Sequence, residues 1–241
     1  SDHLSFMITL ASLFRAFGFV VLNLNIVASK RVTGVSIKSL QLYCLVYTCR
    51  LLSIFCDDTY VPNDDTGDWL YQATEFMSLA FAASALNQCT GTSYKKDCDT
   101  FGECHAAYLA IPCFAVALFV HADLSEHFIN DILFSFSMYL ESVAILPQLY
   151  MCRKQAKGVA VDLLVSNFMF ELGLSRFIDL FFWAYAYDQI GSEFAGYLAL
   201  SSQLTQIILM LDFFCRTTFK MKGVLENGSS SLIKRYKSRE N

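Results

Sequence analysis

The chain has 241 residues, of which 55% are hydrophobic and only 17% are charged. Soluble domains carry about 25% charged residues, so this composition argues against a water-soluble enzyme and favours a protein that lies in a lipid bilayer. With a net charge of −4, nine scattered cysteines, no C-x-x-C and no paired histidines, we expect no nucleic-acid partner, no metal site and no cofactor.

Seven apolar segments follow one another along the chain, each near the roughly 20 residues that a helix needs to cross a bilayer. They are Met7–Ser29, Ile37–Cys56, Trp69–Cys89, Cys104–His121, Phe128–Tyr150, Asp162–Tyr187 and Glu193–Lys220. Segment three is the least apolar, because Gln72, Glu75 and Asn87 interrupt it. The pattern predicts an all-α integral membrane protein with seven transmembrane helices.

The basic residues are sorted between the loops. Of the 18 lysines and arginines, three lie within segments, and the other fifteen fall in the first, third and fifth loops, at the segment edges beside them, or in the C-terminal tail. This alternation follows the positive-inside rule for an odd number of helices. It predicts a lumenal or outside N-terminus, a transmembrane domain over residues 1–222, and a basic inside tail over residues 223–241.

A short internal repeat relates segments two and six. Gly34-Val-Ser36 is followed by Arg50-Leu-Leu-Ser-Ile-Phe55, and Gly158-Val-Ala160 is followed by Arg176-Phe-Ile-Asp-Leu-Phe181. Two halves in the same orientation need an odd helix between them. The repeat therefore predicts two parallel three-helix halves, with segment four as the linker.

Ionisable residues within the segments are the main functional signal. Placing a charged side chain at bilayer depth costs at least about 2.5–3.5 kcal/mol unless it pairs with an opposite charge or contacts water. They are Arg15, Arg50, Glu75, Asp131, Glu141, Glu171, Arg176, Asp179 and Asp212. Arg50 shares a helix face with Ser53, and Arg176 shares one with Asp179 and Trp183. Arginines at equivalent repeat positions predict a cavity for an anionic group. The alternative interpretation is a set of internal ion pairs that hold the helices in register.

One stretch of segment five, Ser137-Met-Tyr-Leu-Glu-Ser-Val-Ala-Ile-Leu-Pro-Gln-Leu-Tyr150, resembles a signature of the KDEL receptor family, the ER lumen protein-retaining receptors. The resemblance continues in order through Gly34-Val-Ser-x-Lys-Ser39, Leu45-Val-Tyr-Thr-x-Arg50, Gly173-Leu-x-Arg176, Trp183, Gln206 and Asp212-Phe-Phe214. It covers nearly the whole chain. It implies a seven-helix fold related to PQ-loop and SWEET transporters, with Pro147-Gln148 as the PQ pair.

The resemblance also implies a function. Such receptors retrieve escaped ER proteins by binding a C-terminal Lys-Asp-Glu-Leu-type tail in a lumen-facing cavity at acidic Golgi pH, and coat proteins would meet the basic tail on the cytosolic side. It implies ligand-binding or supporting roles for five residues: Arg50, Asp131, Glu141, Arg176 and Trp183.

Other positions of the implied pocket depart from the family. The family's arginine is replaced by Ile8, its pH-sensing histidine by Arg15, an acid by Ser53, tyrosines by Ser175 and Asp179, an asparagine by Phe182, and another arginine by Ala186. Arg15, Ser53 and Asp179 stay candidate ligand-binding residues. The scaffold follows the family more closely than the pocket does.

Three functional hypotheses follow. The first is a retrieval receptor of the ER and Golgi with altered specificity for C-terminal tails. The second is a structural accessory subunit whose partners are other membrane subunits, for example of a respiratory complex in the mitochondrial inner membrane. The third, a small-solute transporter, is suggested by fold analogy alone.

Overall fold

The computed structural model describes residues 2–29, 34–56, 68–91, 105–121, 127–155, 163–186, 194 and 196–215. All regular structure in these ranges is helical, which confirms the all-α prediction. The helices are α1 (Asp2–Ser29), α2 (Ile37–Cys56), α3 (Asp68–Gly91), α4 (Ala107–Phe119), α5 (Phe128–Val143), α6 (Leu146–Gln155), α7 (Leu163–Ala186) and α8 (Gly196–Cys215). The tail over residues 223–241 and the second copy of the repeat motif at Gly158 lie outside the described residues.

Four stretches are long and apolar enough to cross a membrane: Phe6–Ala28, Ile37–Cys56, Phe128–Arg153 and Gly196–Cys215. Helices α3 and α7 have 24 residues each, or about 36 Å at 1.5 Å per residue, which exceeds the roughly 30 Å hydrocarbon thickness. Their apolar character is diluted by charged residues that lie in the interior. The fold is that of a helical integral membrane protein, and the count of seven spans stays a prediction.

Two segments differ in detail from the sequence prediction. Segment four, expected over Cys104–His121, contains a helix of only 13 residues with Pro112 inside it. Segment five contains two helices, α5 and α6, which are separated by Ala144 and Ile145. The division follows from Pro147, whose missing N–H cannot continue the helical hydrogen-bond ladder.

The packing of the helices relates the two predicted halves. Helix α1 packs against α7 and α3, while α2 packs against α5 and α3, and α4 lies against α5. If segments one and two correspond to segments five and six, exchanging the halves turns the α1–α7 contact into the α5–α2 contact. These two contacts are the equivalent pair that two parallel three-helix halves predict. Gly18 permits the close approach of α1 and α7, since a Cβ there would lie 3.1 Å from the Cβ of Glu171.

Gln148 of the PQ pair forms hydrogen bonds with the residues at the start of α2. The Gln148 amide donates a 2.6 Å hydrogen bond to the Gly34 carbonyl and accepts a 2.8 Å bond from the Ser36 N–H. The Gln148 N–H donates to the Ser39 hydroxyl at 2.9 Å. Gly34 has φ 97°, a left-handed conformation that favours glycine. We call these four residues the Gln148 joint. It fixes α2 against α6.

Candidate functional site

A layer of charged side chains from five helices crosses the interior of the bundle. We call it the ionic layer, and its members, each no more than 4% exposed, are Arg15 on α1, Arg50 on α2, Glu75 on α3, Glu141 on α5, and Arg176 and Asp179 on α7. Three arginines face three carboxylates, so the formal charge of the layer is zero.

Glu141 is the hub of the layer. Its Oε2 accepts a hydrogen bond from Arg50 Nη2, and its Oε1 accepts one from Arg176 Nη2. Arg15 Nη1 donates to the same Oε1 at 3.4 Å. A single carboxylate therefore joins all three arginines. Since Arg50 and Arg176 occupy equivalent positions in the sequence repeat, their meeting at Glu141 is the arrangement that the repeat predicts.

Glu75 neutralises the other side of the layer. Its Oε1 accepts a 2.9 Å hydrogen bond from Arg15 Nη2, and its Oε2 lies 3.7 Å from Arg50 Nη1. The Ser12 hydroxyl accepts a 2.9 Å bond from Arg15 Nη2. Glu75 was expected as an intramembrane acid but not as a member of the candidate site. The available signal was an acid within the least apolar segment.

Asp179 closes the network from α7. Its Oδ2 lies 3.0 Å from Arg176 Nη1, one helical turn away, and 3.5 Å from Arg15 Nη1. The side-chain carbonyl of Gln203 on α8 accepts a longer bond, 3.4 Å, from Arg176 Nη1. Arg176 and Asp179 therefore lie on one helix face, as their spacing predicts, and they also pair with each other.

Four polar atoms in or beside this layer have no hydrogen-bond partner among the described residues. They are the Nε atoms of Arg15 and Arg176, the hydroxyl of Tyr47, and Oε2 of Glu75, whose contact with Arg50 is an ion pair only. All four are buried, and buried polar atoms without a hydrogen-bond partner are rare in folded proteins because each costs free energy. The paired arginines thus keep unused donors in the interior.

An apolar layer covers the ionic layer on the side where α1 begins, the predicted lumenal side. Its buried residues, which form one hydrophobic cluster, are Ile8, Ile54, Tyr71, Phe134, Met138, Phe182 and Ala199. Six helices contribute to this outer apolar layer. Two of its members, Ile8 and Phe182, are positions where the resemblance implies polar residues.

The main hydrophobic core lies on the other side of the ionic layer. There Phe19 packs edge-on against Tyr43 and Tyr47, with ring centroids 5.5 and 5.7 Å apart, and the two tyrosines stack on each other at 6.1 Å. The charges are therefore enclosed between two apolar regions. In such surroundings, removing one member of an ion pair leaves a buried charge and costs about 3–5 kcal/mol.

The structure brings together five of the eight predicted site residues: Arg15, Arg50, Glu141, Arg176 and Asp179. The other three lie nearer the predicted lumenal end. Ser53 donates to the carbonyls of Cys49 and Asn130 at 3.1 and 3.4 Å, which places it beside Asp131, a residue only 2% exposed. Trp183 is half-buried against the outer apolar layer, its ring 5.3 Å from that of Phe182.

Comparisons with known proteins give the chain a family. Residues 31–186 match the model of the ER lumen protein retaining receptor family. The chain is 34% identical over 204 residues to ER lumen protein-retaining receptor A of Arabidopsis thaliana, a match that covers 81% of this chain and 85% of the relative. It is 32% identical to the ER lumen protein-retaining receptor of Petunia hybrida over 203 residues, with the same coverage. It is also 32% identical over 196 residues to ER lumen protein-retaining receptor 2 of Xenopus laevis, covering 81% and 84%. The family match includes α2 to α7, which supply five of the six members of the ionic layer. The chain therefore belongs to the ER lumen protein retaining receptor family.

Proposed function

We propose that this protein is a membrane receptor of the ER and Golgi that binds C-terminal tails of lumenal proteins, with a specificity different from that of its relatives. The observation that carries the proposal is the pair of buried Nε donors of Arg15 and Arg176 that lack acceptors. Guanidinium groups pair preferentially with carboxylates, and the terminal carboxylate is the group that every free C-terminal tail offers.

Two features support an altered specificity. The arginines already have internal carboxylate partners, so an incoming tail competes with Glu141 and Asp179 rather than meeting unpaired cations. The outer apolar layer also separates the arginines from the predicted lumenal side, so the tail or a movement of the helices must displace apolar side chains such as Ile8 and Phe182. Both features make binding of an acidic tail less favourable.

The direct test is binding of C-terminal peptides to the detergent-purified full chain. A library of peptides with varied last four residues is measured in two forms, one with a free carboxylate and one with an amidated C-terminus. We expect a subset of the free acids to bind, and amidation to abolish their binding. If no peptide binds in a carboxylate-dependent manner, the receptor proposal is wrong. The control variant Arg153→Gln should bind the same peptides as the unmodified chain, because Arg153 pairs with Asp212 outside the ionic layer.

A structural accessory subunit is the second candidate, and the neutral, enclosed ionic layer favours it. Such a layer needs no ligand to balance its charges. Purification under native conditions distinguishes the candidates: a stoichiometric set of other membrane subunits supports the structural role, whereas an isolated chain with lumenal proteins that share a tail supports the receptor. The relatives are named for the ER lumen and give the mitochondrial location no support. The transporter hypothesis continues to rest on fold analogy.

Coat proteins are the proposed cytosolic partners of the basic tail over residues 223–241. Four of its residues are basic, Lys234, Arg235, Lys237 and Arg239. Deleting residues 223–241 is expected to leave peptide binding intact while abolishing coat-protein recovery in a pull-down. Unchanged recovery would remove this partner assignment.

A further inference from the structure

We infer that Asp179 is a specificity-determining residue that makes the site accept basic rather than acidic C-terminal tails. The inference rests on the proposed function and names its ligand class. The ligand would present one carboxylate, its C-terminus, together with a lysine or arginine side chain near that terminus.

The Asp179 carboxylate lies between two arginines of the ionic layer. Its Oδ2 contacts both Arg176 and Arg15, at 3.0 and 3.5 Å, and these are the two arginines whose Nε donors lack acceptors. A tail carboxylate that binds either arginine therefore adds a negative charge to a guanidinium that already pairs with Asp179. Two adjacent carboxylates repel each other unless a cation is shared between them.

Asp179 also lies on the predicted lumenal side of Arg176. On α7, Asp179 lies one turn from Arg176 toward Phe182, which belongs to the outer apolar layer. A tail that arrives from the predicted lumenal side therefore passes Asp179 before it reaches Arg176. An acidic side chain on that tail would be held near Asp179, whereas a basic side chain would pair with it.

The charge of the surroundings also favours a basic tail. The ionic layer has three arginines and three carboxylates, so its formal charges sum to zero. When a tail with a terminal carboxylate and one basic side chain binds, its carboxylate pairs with Arg176 and its basic side chain pairs with Asp179. These two ligand charges cancel, so the sum of charges in the site is unchanged. A tail with additional acids makes that sum more negative.

The test compares two free-acid peptides that differ only in having two lysines or two glutamates before a common C-terminal leucine, together with their amidated forms. Affinities are measured on the full chain in detergent for the wild type, Asp179→Asn, Asp179→Glu, and the control Asp212→Asn. Like-charge contacts across an interface are strongly unfavourable, so we expect the wild type to prefer the basic peptide by about tenfold or more. Asp179→Asn should reduce that ratio below about threefold, while Asp179→Glu and Asp212→Asn keep it.

Each outcome has one meaning. A wild-type preference for the acidic peptide overturns the inference, even if the Asp179→Asn protein does not fold. A basic preference that Asp179→Asn leaves unchanged also overturns it, while the receptor proposal stands. Absence of carboxylate-dependent binding in all proteins refutes the receptor proposal and the inference with it.

Discussion

The Gln148 joint and the ionic layer are two buried polar regions of the same bundle. At the joint, one amide side chain satisfies a backbone carbonyl and a backbone N–H of the residues that lead into α2, all without formal charge. In the ionic layer, six charged groups from five helices pair with one another. Both regions join segments that are distant in sequence: residue 148 is 114 residues from Gly34, and Arg15 is 126 residues from Glu141. They differ in charge. Losing a partner at the joint leaves a neutral polar group unsatisfied, whereas losing one in the layer leaves a buried charge, which costs more.

The largest expected effect is that of Glu141→Gln. This change keeps the shape of the side chain but removes the negative charge that joins three arginines. We expect a loss of about 3–5 kcal/mol in the free energy of unfolding, seen as a fall in the thermal unfolding midpoint in detergent. Asp212→Asn is the control, since its carboxylate lies outside the layer. An unchanged midpoint for Glu141→Gln would mean that the ionic layer does not stabilise the fold.

A smaller loss is expected for Gln148→Ala. The change leaves the Gly34 carbonyl and the Ser36 N–H without their side-chain partner, while the bond from the backbone N–H of residue 148 to Ser39 is retained. Leaving a buried polar group unsatisfied costs about 1–3 kcal/mol. The same thermal measurement applies. A loss greater than that of Glu141→Gln would reverse the comparison between the two regions.

A double-mutant cycle tests whether members of the layer depend on one another. Arg15→Met and Glu75→Met are each expected to destabilise the fold, because each leaves a buried charge with one partner fewer. The double variant should be more stable than the sum of the single losses predicts, by about 1–2 kcal/mol. Additive losses would show that the 2.9 Å contact between these side chains carries no coupling.

The smallest effect is expected for Arg153→Gln. Arg153 pairs with Asp212, and both side chains are at least 36% exposed. Pairs as exposed as this contribute about 0–1 kcal/mol, so the unfolding midpoint should change little. A loss as large as that of Gln148→Ala would indicate that this pair lies in surroundings of much lower polarity than its exposure suggests.

Sequence reasoning predicted much of this architecture and part of the site. Hydropathy placed the helices, and the short repeat predicted that Arg50 and Arg176 come together. The split of segment five was not predicted, although Pro147 was visible as half of the PQ pair. Glu75 was left out of the site because an isolated acid in a moderately apolar helix carries no information about which neighbour it faces. Trp183, expected as a ligand-binding or supporting residue, packs against Phe182.

By itself the sequence determined the membrane class, the helical fold, the sorting of charge between loops and the resemblance to the receptor family. These properties depend on local composition and on motifs that are contiguous in the chain. Tertiary structure alone decided that the arginines pair with Glu75, Glu141 and Asp179, and that an apolar layer covers them. Arg15 is 60 residues from Glu75 and 126 from Glu141. Charges so far apart in the chain choose partners only when helix packing sets their distances, because electrostatic attraction depends on separation in space.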